Sequence, residues 1–226
     1  MTAARTVDAV FFDLFGTLLS LAPLDLACDR LSPGRGAEIA ARWRARQLET
    51  SWLRTVMDQW ADFDVVTHDA LRATLLEFGV DGSADEPVLR AAADAFLDLP
   101  LVDGARDVVQ ALRAAGLVTG ILTNASSRAL DRVRGRMPPM DHYISVNAAR
   151  RFKPHPSVYQ LAVDSAGVPP SRVGFVTANG WDAAGAGAFG LQVAWLRTSA
   201  TASLPAVGAP EPKIATWPEI PAIFTG

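Results

Sequence analysis

The sequence predicts an α/β fold in which a doubly wound parallel sheet carries an inserted helical subdomain. Residues 7–12 are almost all apolar, as in a strand that is buried on both faces of a parallel sheet. Between residues 104 and 196, apolar strand-like runs alternate with helical segments, which is the pattern of βαβ units. Residues 19–97 show helical spacing only, and they separate the first strand from the others.

The inserted block is predicted to contain three helices. The first is long and amphipathic, because large apolar residues recur at steps of four or five: Ile39, Trp43, Leu48, Trp52, Val56 and Trp60. The second is expected to be capped by Thr67 and closed by Gly79. The third should begin near Pro87, since proline fits the first turn of a helix, and should end near Leu97.

The remainder of the chain is predicted to alternate between helices and strands. The helices are expected at residues 105–115, 127–136, 156–166 and 183–189, and the strands at residues 118–122, 143–146, 173–176 and 192–196. Residues 204–212 contain Pro and Gly and are expected to form an exposed loop. We therefore expect an α/β core of residues 1–18 and 98–226, with a helical cap of residues 19–97.

Composition narrows the class of protein. The chain has 226 residues, 50% of them hydrophobic, which is enough for a substantial core. A net charge of -3 and a pI near 5.6 argue against a nucleic-acid partner. No uncharged apolar stretch reaches about 18 residues, so no membrane partner is predicted. The single cysteine, Cys28, fits a reducing compartment and a cytoplasmic location, and we expect it to be a buried or half-buried apolar residue.

Residues that can act in catalysis or bind a ligand form four short clusters. Three of them directly follow predicted strands, where open α/β sheets bind their ligands. In chain order the clusters are Asp13-x-x-Gly-Thr17, Thr123-Asn124, Lys153-Pro154 and Asn179-Gly-Trp-Asp182. A carboxylate at the end of a buried strand, followed by a Gly-Thr turn, is well placed to act as a nucleophile.

Phe15 distinguishes two chemistries that this cluster could perform. Phosphoryl transfer to a leaving alkoxide needs an acid beside the nucleophile, whereas a departing halide needs none. The residue two positions after Asp13 is a phenylalanine, which cannot act as an acid. The first cluster therefore favours displacement of a good leaving group.

In this order, the four clusters resemble the haloacid dehalogenase superfamily over nearly the whole chain, and within it the L-2-haloacid dehalogenases. The resemblance implies a Rossmann-like core with a helical cap. Phe15 stands where phosphatases of this fold have a second Asp, and Ala178 stands where they have an Asp that binds magnesium. The inserted helix, with Trp43-Arg44 followed by Trp52-Leu53-Arg54, is similar to the dehalogenase cap.

The resemblance implies the catalytic roles. Asp13 matches the nucleophile, Thr17 supports it, and Lys153 pairs with it. Arg44 matches the cap arginine that reaches the halogen. The group that orients the lysine and the hydrolytic water is expected to consist of Thr177, Asn179 and Asp182.

It also implies the substrate-binding residues. Thr123 and Asn124 match the pair that holds the substrate carboxylate, and Tyr159 matches a tyrosine that lines the site. The apolar walls are expected to be Leu14, Phe15, Leu48, Phe63 and Trp181.

The activity that follows is hydrolytic dehalogenation of short 2-haloalkanoic acids, through an ester on Asp13 and with inversion at C2. The substrate is a small anion, and the resemblance implies neither a metal nor an organic cofactor.

A related C2 hydrolase, such as one that opens the ring of azetidine-2-carboxylate, would use the same residues. A magnesium-dependent phosphatase is disfavoured by Phe15 and Ala178, and a catalytically silent binding protein by the presence of Asp13 and Lys153. A homodimer is one alternative for the assembly of the protein, because Trp52 and Trp60 can pack either in the interior of the cap or at a dimer contact.

Overall fold

The computed structural model describes residues 6–80, 86–197 and 211–226. The chain divides into two compact units, which we call the core unit, Met1–Leu19 with Leu101–Gly226, and the helical unit, Ser20–Pro100. The expected loop at residues 204–212 lies mostly outside the described residues. In the described ranges, no helix has both the length and the apolar character that a membrane crossing requires.

The core unit is built on one parallel sheet of six strands in the order β3-β2-β1-β4-β5-β6. The strands are β1 Ala9–Phe12, β2 Val118–Thr123, β3 His142–Ser145, β4 Val173–Thr177, β5 Gln192–Leu196 and β6 Lys213–Ala215. The chain adds strands outward from β1 on one side and then returns to add β4 to β6 on the other. The strand order therefore reverses at β1, and the predicted doubly wound α/β class is confirmed.

The core of the sheet depends on close packing of rings against glycines. Strand β1 is completely buried, as its apolar sequence predicts. A Cβ on Gly120 of β2 would lie 2.5 Å from the ring of Phe11, and a Cβ on Gly174 of β4 would lie 2.7 Å from the ring of Phe224. These two glycines leave the space that the phenylalanine rings fill.

The helices of the core unit lie between the strands in the chain, except α9, which follows the last strand. They are α5 Ala105–Ala114, α6 Ser127–Arg134, α7 Pro156–Ala166, α8 Gly180–Phe189 and α9 Ile220–Thr225. Helix α8 begins three residues before the predicted start at residue 183, so Trp181 and Asp182 lie in its first turn. His155 precedes α7 as its N-cap and its side chain accepts a hydrogen bond from the Ser157 N–H.

The helical unit consists of α1 Leu24–Asp29, α2 Gly36–Val56, α3 Phe63–Glu77 and α4 Glu86–Ala93, followed by a 3₁₀ turn, Asp94–Asp98. The predicted long helix is α2, but it ends at Val56 and excludes Trp60. The expectation that Thr67 caps the second helix is wrong. Asp62 caps α3 by accepting a hydrogen bond from the Asp64 N–H at 3.1 Å.

Thr67 instead helps to hold α2 against α3. The buried indole of Trp43 donates to the backbone oxygen of Thr67 at 2.8 Å, and the Gln47 amide donates to its hydroxyl at 2.6 Å. Trp43 also packs edge-on against Phe96, with ring centroids 5.1 Å apart. Cys28 is fully buried, as expected, and burial together with the nearby Asp25 raises its thiol pKa to about 12.

Candidate active site

Asp13 lies where the strand order reverses. Its predecessor, Phe12, pairs with Ile121 of β2 on one side and with Val176 of β4 on the other. The Asp13 N–H continues this ladder by donating to the Val176 oxygen at 3.0 Å. The carboxylate therefore stands at the carboxyl edge of the sheet, between two neighbouring strands, where α/β proteins bind ligands.

Three donors fix the Asp13 carboxylate. Lys153 Nζ donates to Oδ1 at 2.7 Å, while Thr17 Oγ1 at 2.9 Å and Asn179 Nδ2 at 2.8 Å donate to Oδ2. The donors come from the turn after β1, the segment before α7 and the start of α8. The Asp13 side chain is 6% exposed, and these hydrogen bonds hold its carboxylate in one orientation.

The turn after Asp13 closes around these hydrogen bonds. Gly16 has a φ of 82°, a conformation that suits glycine. Thr17 Oγ1 accepts from the Ala178 N–H at 2.9 Å while it donates to Asp13. Asn179 Nδ2 also lies 3.2 Å from the Phe15 backbone oxygen. The turn after β1 and the turn after β4 are thereby joined.

Lys153 is a buried cation with all of its N–H groups occupied. Its Nζ donates to Asp13 Oδ1, to Asp182 Oδ2 at 2.6 Å and to the Leu122 backbone oxygen at 3.1 Å. An ammonium group has three donors, so the protein satisfies each of them. Burial opposes the charged form, but the carboxylates of Asp13 and Asp182 outweigh it and raise the pKa of Lys153. We therefore describe Lys153 as charged at neutral pH.

Asp182 is the second carboxylate on Lys153. It is fully buried, and its Oδ1 accepts from the Tyr159 hydroxyl at 2.7 Å. Its Oδ2 accepts from Lys153 and, at 3.3 Å, from Thr177 Oγ1. Burial raises the pKa of Asp182 to about 6, although Lys153 favours its ionised form. Burial and the neighbouring Asp182 also raise the pKa of Tyr159 well above its ordinary value.

Thr123 and Asn124 form the third part of the arrangement. Thr123 Oγ1 accepts from the Ala125 N–H at 3.0 Å, and Asn124 Oδ1 accepts from the Lys153 backbone N–H at 2.9 Å. The Asn124 side chain therefore joins the turn after β2 to the lysine segment. Ser145 was not among the predicted residues, and its hydroxyl donates to the Ala125 oxygen at 2.7 Å. No local pattern marks this serine, because its partner is distant in the chain.

Trp195 of β5 was not predicted either, and its indole nitrogen donates to the Ala178 oxygen at 3.3 Å. Leu14 and Phe15 are buried beside Asp13, and Trp181 is half-buried at the start of α8, with its ring centroid 6.0 Å from Lys153 Nζ. Across the described ranges, no three His, Cys, Asp or Glu side chains are grouped as metal ligands would be.

The other predicted residues belong to the helical unit. Arg44 and Leu48 are one turn apart on α2, and both are half-buried. Arg44 Nη1 donates to Gln47 Oε1 at 2.5 Å. Phe63 begins α3 and is 2% exposed. Arg44, Leu48 and Phe63 thus lie in the second unit. In the core unit, one hydrogen-bonded network joins Asp13, Thr17, Asn124, Lys153, Tyr159, Thr177, Asn179 and Asp182.

Known proteins are similar to this chain over the segment that contains these residues. The family model of the haloacid dehalogenase-like hydrolases matches residues 7–190. The chain is 41% identical over 192 residues to an (S)-2-haloacid dehalogenase of Xanthobacter autotrophicus, covering 83% of this chain and 74% of that protein. It is 37% identical over 193 residues to the (S)-2-haloacid dehalogenase of Pseudomonas sp. strain YL, covering 84% and 82%.

A solved structure is also similar to this chain over nearly its whole length. The L-2-haloacid dehalogenase of Xanthobacter autotrophicus with chloropropionic acid covalently bound superposes with a TM-score of 0.87 at 34% identity. The superposition covers 96% of this chain and 98% of that one.

Proposed function

The chain belongs to the haloacid dehalogenase-like hydrolases, and on that premise we propose that it hydrolyses short L-2-haloalkanoic acids to D-2-hydroxy acids. The observation that carries the proposal is the Asp13 carboxylate, which three donors hold at the carboxyl edge of the sheet. The names of the relatives, at 33% to 41% identity, support a carbon-halogen bond as the bond that breaks.

In the first step, one oxygen of Asp13 attacks C2 of the substrate. A C–O bond forms, the C–halogen bond breaks, and the halide leaves with the bonding electrons. The substrate carboxylate is held by Thr123 and Asn124, and the halide departs toward Arg44, whose guanidinium is a fixed cation. Buried walls around Asp13 limit its hydration, which favours its attack. A single displacement inverts C2.

In the second step, water attacks the carboxyl carbon of the Asp13 ester. The C–O bond between that carbon and the product oxygen breaks, the 2-hydroxy acid leaves, and the water supplies the new oxygen of Asp13. One proton is released for each halide. The donors that hold the carboxylate in the resting protein, from Lys153, Thr17 and Asn179, also stabilise the negative oxygen that water addition creates.

The helical unit is proposed to act as the cap. Its Arg44 supplies the cation that binds the halide. Its apolar walls are Leu48 and Phe63. The phosphatase alternative is disfavoured because Phe15 and Ala178 offer no carboxylate where that branch has them.

A single-turnover experiment in H₂¹⁸O tests the ester. With the protein in excess over L-2-chloropropionate, the product should be unlabelled and the peptide that contains Asp13 should gain one heavy oxygen, both measured by mass spectrometry. Asp13→Asn should release no halide, because a neutral amide is a poor nucleophile. Asp8→Asn is the matched control, since Asp8 is bound to Arg172 near the opposite end of β1.

Labelled product in the first turnover, with no label on Asp13, would exclude the ester route. Azetidine-2-carboxylate serves as a second substrate in the same assay. Ring opening of azetidine-2-carboxylate without release of halide from any haloacid would assign the chain to the alternative C2 hydrolases.

A further inference from the structure

Gly185 lies in the interior of α8, where glycine is less favourable than alanine. It follows Asp182 by three residues, so the two are neighbours on one face of the helix. The Tyr159 side chain of α7 reaches this face, because its hydroxyl lies 2.7 Å from Asp182 Oδ1 and 3.3 Å from the Asp182 backbone oxygen. Gly185 therefore lies beside the Tyr159 hydroxyl at the point where this hydroxyl contacts Asp182.

A side chain at residue 185 would collide with the phenol. A Cβ built on Gly185 would lie 2.6 Å from the Tyr159 hydroxyl oxygen, and it would also overlap Pro154 Cβ. The Tyr159 ring has little freedom to withdraw, because it packs against Phe175 and Phe189 with centroid distances of 5.9 and 5.8 Å. A methyl group at residue 185 would therefore displace the hydroxyl from Asp182.

We propose that Gly185 is a positioning residue, whose missing side chain keeps the Tyr159 hydroxyl on Asp182 and so maintains Asp182 as a carboxylate during turnover. The inference rests on the proposed dehalogenase function for its kinetic consequence, but not for the contact itself. It assigns a reason for glycine at a helix-interior position that would otherwise favour alanine.

The consequence for Asp182 follows from the groups that face it. These are the Lys153 ammonium, the Tyr159 and Thr177 hydroxyls and, across Lys153, the Asp13 carboxylate. A hydrogen bond to a carboxylate favours its ionised form, so loss of the Tyr159 bond raises the pKa of Asp182 above its present value of about 6. We expect the acid limb of kcat/KM to move up by about one pH unit.

The test compares four proteins: wild type, Gly185→Ala, Tyr159→Phe and the double variant. Halide release from L-2-chloropropionate is followed from pH 4.5 to pH 9. Gly185→Ala and Tyr159→Phe should each shift the acid limb upward, and the double variant should have the acid limb of Tyr159→Phe, because the displaced hydroxyl is already absent. The overlap with Pro154 Cβ persists in the double variant and should change kcat without moving the acid limb. Gly135→Ala is the matched control, since a Cβ at Gly135 meets no atom within 4 Å and its φ of -65° suits alanine.

A readout that needs no activity separates this inference from the proposed function. The chain has two tyrosines, so ¹³Cζ-tyrosine NMR gives two signals, which Tyr143→Phe assigns. The Tyr159 signal should move in Gly185→Ala and stay in place in Gly135→Ala, whether or not the protein releases halide.

Three results would overturn the inference. They are an unmoved Tyr159 signal in Gly185→Ala, an additive shift of the acid limb in the double variant, and a wild-type acid limb in Tyr159→Phe. The last result does not require that Gly185→Ala folds. Absence of halide release by the wild type, with a displaced Tyr159 signal in Gly185→Ala, would reject the proposed function and retain the contact.

Discussion

Replacing Lys153 by Met should lower the free energy of unfolding by about 3–5 kcal/mol at pH 8, because removal of one partner leaves buried charge uncompensated. The Lys153 ammonium is fully buried, 2.7 Å from Asp13 Oδ1 and 2.6 Å from Asp182 Oδ2. Methionine matches the four-atom apolar stem of lysine and lacks only the terminal nitrogen, so the loss is attributed mainly to charge rather than to a cavity. Two carboxylates then share a dry environment with no cation between them.

The loss of stability should depend on pH with a definite sign. With Lys153 present, the pKa of Asp182 is already raised to about 6, and removal of the ammonium raises it further. In the unfolded chain the pKa of an aspartate is about 3.9. A carboxyl group whose pKa is higher in the folded state binds a proton more readily there. The deficit relative to wild type is therefore complete above the Asp182 pKa of the folded variant, and it shrinks as the pH falls to the wild-type value of about 6, below which both folded proteins bind the proton.

Urea unfolding at pH 8 and pH 5, followed by tryptophan fluorescence, measures this deficit. Lys213→Met is the matched control. Lys213 is the other lysine of the chain, its side chain is exposed, and its loss should change stability by less than about 0.5 kcal/mol. Adding Asp182→Asn to Lys153→Met should recover part of the loss at pH 8. An equal deficit at both pH values, or none at either, would refute the assignment of a buried ammonium between two carboxylates.

Three further predictions concern the proposed reaction. Exhaustive dialysis against EDTA should leave halide release unchanged, and p-nitrophenyl phosphate turnover that appears with magnesium and disappears with chelator would contradict this. Arg44→Lys should reduce kcat about tenfold or more with a smaller change in KM, because the guanidinium acts as charge develops on the halogen, whereas Arg42→Lys, on the same helix, should resemble wild type. Wild-type activity in Arg44→Ala would reject the role. Racemic 2-chloropropionate should give D-lactate and unreacted D-substrate by chiral chromatography, and a racemic product would exclude a single displacement.

Elements with strong local signals could be predicted from the sequence. The bounds of α7 at residues 156–166 and of β5 at residues 192–196 agree with the structure, since Pro156 and Gly190 mark nearby boundaries. Strand β6 was missed because it has three residues, two of them exposed, and no alternating pattern. Helix α1 was missed because six residues are too few for a clear period. The Thr67 error arose because threonine is a common cap, whereas here tertiary contacts place it inside α3.

The candidate site was predictable only in part, for a physical reason. The positions of Asp13, Thr123 and Thr177 follow from strand ends, which the sequence indicates directly. The contact between Lys153 and Asp182 was expected from the family resemblance alone, and the contact between Tyr159 and Asp182 was not expected. The two contacts join residues 29 and 23 positions apart on different elements. Such contacts depend on how α7 packs on α8, and this packing leaves no mark in the local spacing of residues.

The arrangement of charges suggests why two carboxylates share one lysine. In the resting site, Asp13, Asp182 and Lys153 carry one net negative charge when both carboxylates are ionised. On the proposed route, Asp13 becomes a neutral ester after the first step, and Lys153 would then be a buried cation without a partner if Asp182 were absent. The Asp13 carboxylate raises the pKa of Asp182 in the resting site, so its conversion to a neutral ester favours the ionised form of Asp182, and the ammonium keeps an anionic partner while the ester awaits water. Asp182 thereby preserves the positive charge that stabilises the negative oxygen of the second step, and its hydrogen bonds to Tyr159 and Thr177 keep it ionised for that purpose.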